Sequence, residues 1–87
     1  MPAFIVSYDL RKTNHNYDSL YEALFVIDAT RIQDSVWGVR TASNAIQVFN
    51  FLWRHMHKQK DRLFVVPFDY KKQYRSQNSI EQWRSMR

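Results

Sequence analysis

The sequence contains no cysteine, which rules out a disulfide framework and any thiolate metal site and fits a reducing compartment. It carries a single glycine and two prolines, so neither a glycine-rich phosphate cradle nor a Gly-x-Ser-x-Gly nucleophile elbow can be built. No apolar run approaches the length of a membrane span, and the start lacks the basic-then-apolar layout of a signal peptide. A cytoplasmic protein without membrane contact is expected. What the chain does have is 45% hydrophobic and 16% aromatic residues, well above the content of a disordered segment. Its 87 residues make one domain, and a domain this small buries only about 60 to 65% of its extended-chain surface. Burial against a partner is therefore expected. The net charge of +5 favours polyanionic partners.

The first strong signal is the run Phe4-Ile5-Val6-Ser7-Tyr8-Asp9-Leu10, an apolar, β-branched stretch that reads as a buried strand. Asp9 falls where that strand leaves the core. A carboxylate there is pinned by a rigid element while its oxygens reach solvent, a metal ion or a partner; alternatively, it simply caps the strand. A polar loop follows, in which Asn14 or Asn16 can cap a helix. Tyr17, Leu20, Tyr21, Leu24 and Ile27 recur at helical spacing, which predicts a helix from Tyr17 to about Asp28.

Residues 29–40 lack a helical period and suit extended structure, either one bulged strand or two short strands, with Gly38 marking a bulge or a close backbone approach. Thr41 or Ser43 is the expected cap of a second helix, whose stripe runs Ala42, Ala45, Ile46, Phe49, Leu52, Trp53, Met56. His57, Lys58 and Lys60 fall at its end, where cations suit the helix dipole. Leu63 to Val66 read as a last strand ending at Pro67. The order strand, helix, extended pair, helix, strand predicts an α+β fold, the βαββαβ ferredoxin-like sandwich with two helices on one face of an antiparallel sheet, over residues 1–69. Residues 70–87 form a separate basic, aromatic C-terminal extension. There Asn78 or Ser79 can cap a short helix presenting Ile80 and Trp83. Its lysines and arginines, Lys71, Lys72 and Arg75 first, are suited either to nucleic-acid phosphates or to a solvated appendage.

Zinc is not supported. His55 and His57 are two apart and would point to opposite sides of a helix, and His15 stands alone in a loop. A serine nucleophile at Ser7 or Ser35 lacks an identifiable base.

The Tyr8-Asp9 strand end, together with Arg31-Ile32-Gln33-Asp34-Ser35-Val36-Trp37, resembles the small CRISPR-associated adaptation proteins, second in that naming series. The opening from Met1 to Lys12 also resembles their solitary SinR-like relatives and, more distantly, the virulence-associated protein D ribonucleases. The resemblance covers roughly residues 4–68. It fails at the tail, where the CRISPR proteins often add a strand across the dimer and this chain looks helical and basic. It implies a homodimer whose strand-end aspartates meet across a two-fold axis and hold Mg²⁺ or Mn²⁺, and, more remotely, a CRISPR integrase as partner.

On that pattern the function is a metal-dependent endonuclease acting on DNA or RNA in antiviral defence, with Asp9 as metal ligand and Arg31 on the phosphate. Arg11, Lys12 and Trp37 are further nucleic-acid contacts. Tyr8, Ser35 and Trp37 are placed by motif, in substrate contact or in dimer packing. The alternatives are a non-catalytic nucleic-acid-binding scaffold in a defence, toxin or mobile-element system, and an interaction domain whose charge is incidental.

Overall fold

The computed structural model describes residues 2–12 and 15–69. The element order is β1 (Ala3–Asp9), α1 (Asp18–Val26), β2 (Thr30–Gln33), β3 (Val36–Arg40), α2 (Ala45–Trp53) and β4 (Arg62–Phe68). The four strands form one antiparallel sheet in the order β2-β3-β1-β4. Each helix thus links two strands that flank a third, an order compatible with the expected ferredoxin-like sandwich. Among the described residues no helix is long and apolar enough to cross a membrane.

The pleat of β1 divides the protein. Phe4, Val6 and Tyr8 point to one face, where they pack with Leu20, Ala23 and Leu24 of α1 and with Val48, Leu52 and Met56 of the α2 region. Val39 of β3, opposite Phe4, completes this core. Leu20, Leu24, Leu52, Val6 and Val39 are fully buried, each worth about 1.5 to 3 kcal/mol relative to exposure. Ala3, Ile5, Ser7 and Asp9 belong to the other face, which no described helix covers. There Ile5, Val36 and Phe68 pack around the buried Ile32.

Several local expectations need correction. Helix α1 is shorter than its apolar period suggests, because Asp28 turns left-handed (φ 59°). The N–H of Ala29 then donates to the Leu24 carbonyl and that of Asp28 to Phe25, the paired bonds of a Schellman stop. At its start the expectation holds: Asn16, one of the two candidate caps, accepts from the Asp18 N–H at 2.9 Å.

Helix α2 is capped by Asn44, not by Thr41 or Ser43, through a reciprocal box. The Asn44 side chain accepts from the Gln47 N–H at 2.8 Å, and the Gln47 side chain accepts from the Asn44 N–H at 2.9 Å. Its buried stripe is correspondingly rotated: Val48 and Leu52 face the core, whereas Ile46 is 71% exposed. The helix ends by Arg54, so His57, Lys58 and Lys60 lie beyond its last turn.

The extended pair is two strands joined at Asp34-Ser35, and the register shift lies between Arg31 and Gln33, not at Gly38. Strand β4 runs through Pro67, which sits opposite Phe4; an edge strand tolerates the missing N–H. The expectations for residues 70–87, including Lys71, Lys72 and Arg75, lie outside the described residues, as does Asn14.

Candidate nucleic-acid interface at the end of the first strand

Asp9 ends β1, the strand flanked on both sides by others, with its carboxylate on the face that no described helix covers. One oxygen accepts from the Arg11 guanidinium at 3.1 Å, with both side chains about half exposed (55% and 51%). Solvent screening holds such a pair to roughly 0 to 1 kcal/mol, so the carboxylate is available for exchange with other ligands. Arg62 is its register partner on β4 and is exposed. A lone acid is thus flanked by two arginines, Arg11 and Arg62.

Tyr8 points the other way. Its hydroxyl accepts from Trp37 Nε1 at 2.8 Å and donates to the Asp34 carbonyl at 3.3 Å. Arg31 lies over the Trp37 ring, 5.4 Å from its centroid, and donates through Nη2 to the same carbonyl at 2.8 Å. Its Nε is enclosed without a hydrogen-bond partner. The Ser35 carbonyl accepts from the Tyr8 N–H at 3.1 Å, extending the ladder into the turn. Burial raises the Tyr8 hydroxyl pKa despite the Trp37 bond, so the phenol stays protonated near neutrality.

Tyr8, Arg31, Trp37 and the Ser35 main chain therefore come together, but they brace the β2–β3 turn on the helix side. Asp9 and Arg31 lie on opposite faces of the sheet, so within one chain Arg31 does not share a site with Asp9. Arg11 and Arg62 are the cations beside Asp9. Arg11 was expected here. Arg62 was legible only through the pairing of β4 with β1, since nothing in its own neighbourhood marks it.

A second cluster, unmarked by any motif, supports this end of the sheet. Buried Asp61 (6% exposed) accepts from the Arg11 N–H at 2.8 Å, the Tyr17 hydroxyl at 2.5 Å and the His57 N–H at 2.7 Å. It ties the β1–α1 loop to the α2–β4 loop directly behind the Asp9–Arg11 pair. Burial alone would push its carboxyl up, but the hydrogen bonds it receives outweigh this and hold it below the ordinary carboxylate range. His15 is not isolated. It lies 4.6 Å from the Tyr17 ring and 6.1 Å from that of His57, and its Nε2 is 3.4 Å from the His55 carbonyl.

Among the described residues no group of three His, Cys, Asp or Glu side chains could hold a metal ion. One Asp9 carboxylate, already bearing a guanidinium on one oxygen, does not by itself fit Mg²⁺ or Mn²⁺. Holding either ion there would take further ligands, such as substrate phosphate oxygens or a second carboxylate from another copy. No family model matches the chain, and no curated protein matches it.

Proposed function

We propose that the protein is a nucleic-acid-binding homodimer that cleaves phosphodiesters with a divalent ion shared between two Asp9 carboxylates. What supports this most directly is the half-exposed Asp9 at the end of an inner strand, flanked by Arg11 and Arg62. An acid rooted in a sheet, with cations on either side, suits a phosphate that must be held close to a carboxylate. The resemblance of Tyr8-Asp9 and of Arg31 to Trp37 to the CRISPR-associated adaptation proteins points the same way, and the apolar sheet face offers a surface for a second copy. The ion, when bound, would polarise the phosphate and lower the pKa of a water. The chain's own contribution is to fix Asp9 on a strand and to set Arg11 and Arg62 around the phosphate. The substrate is DNA or RNA.

A second reading, a non-catalytic scaffold, is favoured by one observation: Arg11 already occupies one oxygen of the Asp9 carboxylate. The two readings separate in a cleavage assay on labelled single- and double-stranded DNA and RNA with Mg²⁺, Mn²⁺ or EDTA. Under the nuclease reading, Asp9→Asn leaves a folded protein that binds but no longer cleaves, whereas Arg11→Ala and Arg62→Ala weaken binding and lower its salt dependence by about one unit each. Metal-dependent cleavage by Asp9→Asn equal to that of the wild type would remove Asp9 from the chemistry and leave the scaffold.

A further inference from the structure

We propose that the cleft between the end of α1 and the outer side of α2 binds a small organic phosphate of mononucleotide size. The cleft has a volume of about 430 Å³, within the roughly 300 to 1,000 Å³ of small-molecule sites. It lies at the opposite end of the sheet from Asp9. Its wall residue Thr41 donates its main-chain N–H to the Pro2 carbonyl, beside the start of β1, and the length of that strand sets it about 20 Å from Asp9. The proposal is therefore independent of the function assigned to Asp9.

The lining divides cleanly. Ile27, Val48 and Phe51 supply apolar surface for a flat body. The polar groups all have donors to offer, and two have already spent an acceptor on the main chain. Thr41 Oγ1 accepts from the Ser43 N–H at 3.2 Å, leaving its O–H to donate. The side-chain oxygen of Gln47 accepts from the Asn44 N–H, leaving its amide NH₂ to donate. Ser43 and Asn50 add a hydroxyl and an amide. Arg54 completes the wall, its guanidinium over the Phe51 ring at 5.4 Å from the centroid, and among the described residues no carboxylate pairs with it.

Among the described residues no acid lines the cleft. A guanidinium with several neutral donors and no acid selects a ligand rich in acceptors and negatively charged. The hydroxyls, amides and guanidinium together offer more N–H and O–H groups than one carboxylate can accept, which favours a phosphate. A guanidinium already stacked on an aromatic ring also leaves its edge for bidentate contact with phosphate oxygens. The phosphate could arrive on a free mononucleotide or at the end of a strand.

The test is amide NMR of the full chain titrated with adenosine 5′-monophosphate, adenosine or inorganic phosphate, repeated with Arg54→Gln. The expected result is saturable shifts at Ser43, Gln47 and Phe51 with adenosine monophosphate, and at least about tenfold weaker binding of adenosine, as loss of a charge-assisted hydrogen bond predicts. Arg54→Gln, an exposed position, should reduce adenosine monophosphate to the adenosine level while leaving amide signals remote from the cleft in place. A 5′-phosphorylated trinucleotide and its 5′-hydroxyl form then distinguish the sources. Phosphate-dependent binding of the trinucleotide assigns a strand end, and binding of the mononucleotide alone assigns a free nucleotide. Absence of saturable shifts at the cleft, equal affinity for adenosine and its monophosphate, or indifference to Arg54→Gln would each overturn the proposal.

Discussion

Asp61 shows what one buried carboxylate does in a small protein. It gathers two main-chain N–H groups and the Tyr17 hydroxyl, and its partners are up to 50 residues away in sequence. Because those bonds hold its folded pKa below the unfolded value, the stability it contributes is fully present above about pH 4 and is lost as pH falls through the folded pKa. Asp61→Asn places an NH₂ donor against other donors and should cost roughly 1 to 3 kcal/mol at neutral pH. Its difference from the wild type should shrink as pH falls below about 4, where the unfolded wild-type carboxyl takes up its proton first, and be smallest below the lowered folded pKa. Urea unfolding at pH 7 and pH 3 checks this, and an equal difference at both would show that the carboxylate charge is not what matters. Tyr17 has the opposite sign: burial, then the bond to Asp61, raises its pKa, so its contribution persists until pH rises above the ordinary tyrosine range.

At this scale the sequence was only half readable. The two-residue period of β1 already places Tyr8 and Asp9 on opposite faces, a consequence that a motif match treating them as a unit conceals. The Asp61–Tyr17 contact has no local signal at all, since it arises only when two loops meet across the fold.

The elements were legible wherever an apolar run had a fixed period, as in both helices and in the first and last strands of the chain, β1 and β4. Their ends were not, because several adjacent polar residues can each cap a helix and only reciprocal bonding selects one. Thr41, Ser43 and Asn44 all qualify by type, yet only Asn44 has a glutamine three residues on, the spacing of a capping box. Asn44→Ala should therefore cost about 1 kcal/mol, while Ser43→Ala should cost much less. Equal losses in thermal unfolding would reassign the cap.

At the other stop, Asp28 holds a left-handed conformation that glycine adopts without its Cβ penalty. Asp28→Gly should stabilise the protein by up to about 1 kcal/mol, an effect visible as a raised melting temperature. A decrease would mean that the Asp28 side chain makes a compensating contact.

At the scale of the whole molecule, one face of the sheet carries no helix among the described residues. The helices cover the side bearing Phe4, Val6 and Tyr8, while the opposite side shows Phe64 at 54% and Val66 at 38% exposure, next to half-buried Ile5, Val36 and Phe68. Antiparallel sheets commonly turn one face to water, and that face then alternates to polar residues. Here the alternation brings apolar residues to both faces of β1 and β4, as expected of a surface that is covered in the functional assembly.

A second copy packed on this face would bury it and would need no helix to do so. In a symmetric dimer every substitution counts twice, so Phe64→Lys removes two buried rings. At about 1.5 to 3 kcal/mol each, the dimer should weaken by roughly a hundredfold or more. Because Phe64 lies outside the helix-covered core, the monomer should unfold at a similar denaturant concentration. Sedimentation at micromolar concentration should find the wild type as a dimer and Phe64→Lys as a monomer. A monomeric wild type would remove the paired Asp9 site along with the dimer. A Phe64→Lys variant that remains dimeric would move the interface off this face of the sheet, and no two-fold axis would then need to pass near Asp9.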